Sequence, residues 1–258
     1  MFSYEIALNY WEVFLLILVR ITAFVTAAPF FSMANAPARV KIALSFFISI
    51  IVFMLIPTRT LEYNGIVDLA VLIVKEVVVG LLLGFSANLA MLTVSFAGYI
   101  IDINVGLSMA TVFDPSTHMQ TSVSGTLYYN TVYLLLLVSG LYQFLISAIV
   151  DSYQIIPIGE VTVNATLYDS FLGAVVDYFI VGFRIALPVF VTIMIVNVVL
   201  GVLTRVAPQL NMFAIGMQAK LIVGLAVMYL VAGMLPSITG FLLDMMKNAV
   251  VNIAGGLT

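Results

Sequence analysis

Hydrophobic and polar positions divide this chain into long apolar segments separated by short polar stretches. The apolar segments cover residues of about 8–32, 40–56, 67–101, 126–150, 171–203 and 212–243. Several of them exceed the roughly 20 residues that a helix needs to cross a hydrocarbon core of about 30 Å. Because backbone polar groups in lipid must be satisfied internally, runs of this length indicate helices. We therefore predict an all-α integral membrane protein of long helical hairpins, with about six apolar helical segments.

Two of these segments are longer than a bilayer requires. As straight helices, residues 67–101 and 171–203 would each span about 50 Å. That excess is too large for ordinary tilt to absorb, so we expect these helices to contact other protein as well as lipid. The sequence leaves a second interpretation open, in which Pro188 kinks the later helix or a break near Lys75 shortens the earlier one.

The third segment carries small residues along one face. At 100° per residue, five of them fall within an arc of about 80°. They are Gly80, Gly84, Ala87, Ser95 and Gly98. Small residues on one face let helix backbones approach closely, so this pattern predicts a helix-packing seam.

Composition narrows the function classes. A chain with 64% hydrophobic residues, 8% charged residues and a mean hydropathy of +1.23 has too few polar residues to cover a soluble globule. The net charge of −3 argues against nucleic acid as a partner. Cysteine is absent and His118 is the single histidine, so we predict no metal site. No motif for catalysis or for nucleotide binding occurs, and we predict a protein without cofactors that is not an enzyme.

The N-terminus has no basic stretch. The first twelve residues contain two glutamates and neither lysine nor arginine. A cleaved signal peptide normally begins with positive charge, so we expect the first apolar run to remain in the mature protein.

Among the charged residues inside the apolar segments, the candidates for a role are Arg20, Lys75, Glu76 and Arg184. An ionised group at mid-bilayer costs at least about 2.5–3.5 kcal/mol, so each requires a reason. One hypothesis is an ion or proton pathway; the other is structural pairing, with partners in this chain or in another subunit. A proton relay normally shows several acids at mid-segment, and Glu76 is the one clear case. Structural pairing is therefore favoured.

Residues 102–125, DINVGLSMATVFDPSTHMQTSVSG, form a long connection that mixes apolar and small residues. Loops of this length are commonly either functional or plain connectors. The residues alone leave both interpretations open.

Three stretches carry a resemblance to a known family. The first comprises VRITAFVTAAPFFS and APARVKIALS, the second comprises KEVVVGLLLGF and AGYIIDINVGLSMATVFDP, and the third is GVLTRVAPQLNMFAIGMQAKL. In this order, and over about residues 10–245, the chain resembles the flagellar biosynthetic protein FliR family of type III export-gate subunits. The homologous injectisome subunit shares this architecture and stays open as an alternative, as does a secondary transporter that would use Arg20, Glu76 or Arg184.

The resemblance implies a fusion of two parts. Residues 1–165 would be similar to the partner FliP and include the loop 102–125, and residues 166–258 would be a FliQ-like hairpin. The hairpin would turn with Arg205, Pro208 and Gln209 at its tip. One copy of the chain would assemble with several FliP-like and FliQ-like membrane subunits and other export components. The complex would lie in the bacterial inner membrane within the flagellar basal body, and unfolded exported proteins would be its substrates.

The resemblance also implies that residues 102–125 plug the export channel. The plug residues would be Val105, Gly106, Leu107, Met109, Val112, Phe113, Asp114 and Pro115. Their chemistry suits the role, because apolar bulk excludes water and ions, whereas small residues allow the loop to move aside.

Overall fold

The structure, a computed structural model, describes residues 2–31, 37–56, 63, 65–108, 122–162, 164–209 and 211–257, with backbone alone at 2–9, 212 and 213. Within these ranges it contains eight α-helices and no strand, which confirms the all-α prediction. The helices are α1 Phe2–Ala27, α2 Ala38–Leu55, α3 Ile66–Val105, α4 Val123–Val138, α5 Leu141–Ile155, α6 Ala165–Val206, α7 Met212–Ala232 and α8 Leu235–Gly255.

The two longest helices are uninterrupted. Helix α3 has 40 residues and α6 has 42, so each extends about 60 Å. Helix α3 passes through Lys75 without a break, and α6 continues through Pro188. The predicted lengths of 67–101 and 171–203 are therefore exceeded at both ends.

The prediction of six apolar segments is too high as a count of membrane spans. Among the described residues, four helices are long and apolar enough to cross a membrane, or up to five if one bent pair forms a single span. The bent pair is α4 and α5, which meet at 70°. Gly140 lies between them with a φ of 87°, a left-handed conformation that glycine adopts without strain. Hydropathy does not register such a turn, because the helices on both sides of it are apolar.

The last predicted segment, 212–243, is also divided. Helix α7 ends at Ala232, and α8 begins at Leu235 and extends to Gly255. Pro236 is the second residue of α8, and proline is tolerated in a first turn because its missing N–H would have no intrahelical partner there.

One compact unit comprises Met1–Leu89, Gly140–Val175 and Asp244–Thr258. Helices α1 and α2 pack through aromatic rings: Phe14 makes edge-to-face contacts with Phe46 and Phe53, at centroid distances of 5.9 and 5.8 Å. Such contacts add to the burial of apolar surface, so they fix the two helices against each other. Within the same unit, the amide of Asn164 donates to the carbonyl of Gly256 at 3.2 Å.

The second compact unit comprises Ala90–Ser139 and Val176–Leu243. Here the later half of α3 packs against α6 at Gly182, where an added Cβ would lie 2.8 Å from the Phe96 ring. Helix α7 returns along α6, with Gly216 opposite Leu200. The predicted division into a FliP-like 1–165 and a FliQ-like 166–258 rests on resemblance and stays a prediction.

Candidate functional site

A buried ion pair joins α1 to α3. Arg20 Nε donates to Glu76 Oε2 at 2.5 Å, and both side chains are completely buried. A buried pair of this kind is stable only when further hydrogen bonds satisfy the remaining donors and acceptors. The pairing lies within the chain, so these two charges do not require another subunit.

The segment after α5 supplies two such contacts, whereas Arg20 Nη2 has no hydrogen-bond partner among the described residues. Arg20 Nη1 donates to the carbonyl of Ile156 at 3.0 Å, and the amide of Gly159 donates to Glu76 Oε1 at 3.0 Å. The ring of Tyr153 lies 4.2 Å from Arg20 Cζ, in cation–π range. One ion pair thereby holds two helices and a loop together.

The small residues of α3 contact two different helices. At Gly80 an added Cβ would run into the carbonyl oxygen of Arg20, and at Gly84 it would lie 2.8 Å from the carbonyl oxygen of Phe24. Both glycines therefore face α1. Gly98 instead lies against Gly125 of α4, so closely that a Cβ would overlap its backbone. Backbone contacts this close require glycine on both helices.

The other two small residues of the predicted seam lie between these contacts. Ala87 is completely buried, and Ser95 is half-buried. Ser95 Oγ donates to the carbonyl of Met91 within α3 at 3.3 Å. Gly80 and Gly84 contact α1, whereas Gly98 contacts α4, so the helix opposite these glycines changes along α3. The seam of five small residues stays a prediction.

A second buried carboxylate lies near the end of α3. Asp102 is 3% exposed, and its Oδ1 and Oδ2 accept from the amide of Ser124 at 3.1 and 3.3 Å. Ser124 lies in the first turn of α4, where backbone amides have no partner within the helix and a negative charge is stabilised. Asp102 thus ties the end of α3 to the start of α4, the two ends of the connection 102–125.

The predicted plug residues are described only in part. Val105 is completely buried and packs against Gly224 of α7, where an added Cβ would lie 2.5 Å from its Cγ2. Gly106 has a φ of 94°, and Leu107 is half-buried. The remaining plug residues, Met109, Val112, Phe113, Asp114 and Pro115, lie outside the described residues.

The other predicted site residues are more open to solvent or lipid. Lys75 is half-buried, and Arg184 is exposed near the middle of α6. Arg205 lies exposed in the last turn of α6, and Pro208 and Gln209 lie exposed in the turn that follows. Asn211 then caps α7, since its side chain accepts from the amide of Ala214 at 3.3 Å.

Several residues of these contacts were not assigned a role from the sequence. Asp102 had a usable signal, because it is an acid directly after the apolar run that ends at Ile101. Tyr153, Ile156 and Gly159 had none. Tyr153 and Ile156 contact Arg20, and Gly159 contacts Glu76, across sequence separations of 136 residues for Ile156 and 83 for Gly159, so these contacts exist only in the folded chain.

Comparison with known proteins identifies the family of the chain. Residues 11–246 match the family described as "Bacterial export proteins, family 1". The chain is 33% identical over 224 residues to the flagellar biosynthetic protein FliR of Escherichia coli K12, covering 87% of this chain and 84% of that protein.

Two further relatives show how far the similarity extends. The chain is 31% identical over 222 residues to the FliR protein of Bacillus subtilis 168, covering 84% of each. It is 30% identical over 154 residues to the Yop proteins translocation protein T of Yersinia pestis, covering 59% of each. The family match over most of the chain and the identity to FliR proteins confirm the resemblance, and the chain belongs to the FliR family of bacterial export proteins.

Proposed function

We propose that this chain is a structural and gating subunit of the flagellar type III protein export gate. It contributes helices to the channel wall, and its loop 102–125 plugs the pore. A single copy assembles with several FliP-like and FliQ-like membrane subunits in the bacterial inner membrane, within the flagellar basal body. Unfolded exported proteins pass through the complex, and the chain itself is not an enzyme.

The main support for the plug comes from the contacts that hold the two ends of the loop together. Asp102 accepts from the Ser124 amide, and Gly98 lies against Gly125, so the two ends of residues 102–125 are held together. A plug requires such a base, because a segment that moves aside for a substrate must return to the same place. Gly106, at a φ of 94°, lets the chain leave α3 in a direction that other residues rarely adopt.

The chemistry of the loop supports the same role. Leu107, Met109 and Phe113 are apolar, and a hydrophobic constriction blocks ions by excluding water. Methionine is unbranched and adaptable, which suits a surface that closes on itself and admits varied polypeptides.

An injectisome subunit is the nearer alternative. The similarity to the Yop translocation protein T covers 59% of this chain, whereas the similarity to the FliR proteins covers more than four-fifths. The larger coverage favours the flagellar assignment. Deleting the gene and scoring flagellar assembly separates the two, since an injectisome subunit would leave flagella intact.

A secondary transporter is the more distant alternative. It would need Arg20, Glu76 or Arg184 to take up and release an ion during transport. Arg20 and Glu76 are completely buried and engaged with each other and with backbone partners. This arrangement suits a permanent contact, so structural pairing remains the favoured role.

The test of the plug is deletion of residues 106–118 in the assembled complex. We expect ion leakage across the membrane to rise while the complex retains its subunits, because the anchoring contacts of Asp102 and Gly98 remain. Conductance in planar bilayers measures the leakage, and mass measurement of the extracted complex checks assembly.

A matched control retains the length of the loop. Replacing Ser116 and Thr117 by alanine should leave the conductance at the wild-type value, whereas replacing Leu107, Met109 and Phe113 by serine should raise it. A complex that assembles without residues 106–118 and stays ion-tight would contradict the plug.

A further inference from the structure

An apolar groove runs along α6 on its α7 side. It consists of two adjoining cavities of about 310 and 630 Å³, both of which are lined by Arg184, Pro188, Val231 and Met234. The larger cavity continues along α6 to Thr192. The smaller cavity extends the other way along α6, past Arg184 to Val181. From Arg184 to Thr192 the helix rises about 12 Å, so an apolar strip of that length leads away from the arginine.

Arg184 is the charged residue of this groove. It is exposed, and no carboxylate among the described residues lies within salt-bridge distance of it. In the smaller cavity, Ser237 of α8 also lines the wall beside it. An arginine on an apolar surface is stabilised when an anion satisfies its planar set of donors, and phosphate oxygens match that geometry.

The spacing of charges along α6 indicates the depth of Arg184. Residues 185–204 contain no charged side chain, and arginines stand at both ends, at 184 and 205. Twenty helical residues extend about 30 Å, the thickness of a bilayer hydrocarbon core. A bilayer placed around this run would set each arginine at a headgroup level, and the part of the groove from Arg184 to Thr192 would then extend toward the hydrocarbon interior.

We propose that this groove binds an anionic phospholipid, with its phosphodiester on Arg184 and an acyl chain along the strip toward Thr192. Basic pockets between membrane helices are common sites for such headgroups. The cavity volumes fall in the range of small-ligand sites. This inference is independent of the plug and holds whether or not residues 102–125 close the channel.

The test uses the full-length chain extracted with its partners from its own membrane. The complex is exchanged into mixed micelles containing phosphatidylglycerol or phosphatidylcholine, and native mass spectrometry counts the retained lipid. We expect phosphatidylglycerol to be retained in preference to phosphatidylcholine. Arg184→Gln should reduce its retention about tenfold, the effect of losing a charge-assisted hydrogen bond.

Arg205→Gln is the matched control, since it removes the arginine at the other end of the same apolar run. It should change retention less than about twofold, since Arg205 does not line the groove. Equal losses in the two variants would overturn the proposal, because they would show attraction to surface charge in general.

A second pair of variants tests the acyl-chain end without changing charge. Val191 lines the larger cavity and is exposed, and Val198 is exposed two turns further along α6. Val191→Trp should abolish retention by filling the strip, whereas Val198→Trp should leave it unchanged. If the complex with Arg184→Gln fails to assemble, the Val191→Trp and Val198→Trp variants still test whether the groove binds lipid.

Two outcomes would assign the groove to another occupant. Displacement of phosphatidylglycerol by inorganic phosphate would identify a free-anion site. A photoreactive residue at position 191 that labels a protein subunit, and no lipid, would show that a partner helix covers the groove. Labelling of lipid supports the proposal.

Discussion

Helix α3 carries a buried carboxylate in each of the two compact units, and the two are neutralised in different ways. Glu76 meets a full positive charge, the guanidinium of Arg20. Asp102 accepts hydrogen bonds from the amide of Ser124, in the first turn of α4. The first contact holds helices and a loop in a fixed arrangement, and the second closes the base of a connection. One helix thus uses a carboxylate for a contact between helices at Glu76 and another for the base of a connection at Asp102.

Neutralising Glu76 should have the largest effect. Glu76→Gln leaves the buried guanidinium of Arg20 without a countercharge, and losing one partner of a buried pair costs about 3–5 kcal/mol. We expect a large fall in the thermal unfolding midpoint of the extracted complex. Lys75→Gln, at the half-buried neighbouring position, should change the free energy of unfolding by less than about 0.5 kcal/mol.

The double variant Arg20→Met, Glu76→Gln sharpens this test. It removes both charges together, so it should recover much of the stability that Glu76→Gln loses. If the double variant were no better than the single one, the hydrogen bonds to Ile156 and Gly159 would be the main contribution, and the charge pair a minor one.

Adding a methyl group at the α1–α3 contact should have an intermediate effect. In Gly84→Ala the new Cβ would lie 2.8 Å from a backbone oxygen and 2.9 Å from Ala27 Cβ, so one helix must shift. Overpacking of this kind costs about 1–3 kcal/mol. Thermal unfolding of the complex measures the loss.

Gly173→Ala is the matched control for that substitution. Gly173 lies within α6, and nothing lies within 4 Å of its added Cβ. Alanine is favoured over glycine inside a helix by about 0.5–1 kcal/mol, so this variant should be slightly more stable than the wild type. Equal destabilisation by both substitutions would mean that the α1 contact does not decide the requirement for glycine.

Asp102→Asn should have the smallest effect of the three. The amide oxygen of asparagine can still accept from the Ser124 amide, and no opposite charge is left unpaired. We expect a loss of about 1 kcal/mol, from a charged to a neutral hydrogen bond. Hydrogen exchange at the start of α4 should accelerate, while exchange in α1 stays unchanged. A loss as large as that of Glu76→Gln would remove the contrast between the two carboxylates.

Much of the architecture can be predicted from the sequence alone. Long apolar runs require helices in lipid, because the backbone has no other way to satisfy its hydrogen bonds. The spacing of Gly80 and Gly84 by four residues places them on one face in any α-helix. The motifs around Asp102 and Arg205 carried the resemblance to the FliR family, and local sequence is enough for that. The roles proposed for 102–125 stay predictions, since most of those residues lie outside the described part of the chain.

Tertiary structure decided which of these features meet. The turn at Gly140 is invisible to hydropathy, because a left-handed glycine changes the direction of the chain without changing its polarity. The partners of Glu76 come from α1 and from the segment after α5, and contacts between residues so far apart depend on how helices pack. Periodicity gives the face on which a residue lies, but the structure alone shows what that face contacts. The sequence therefore determined the helices and the family, and packing decided that Arg20 and Glu76 pair within one chain, while Arg184 has no carboxylate partner among the described residues.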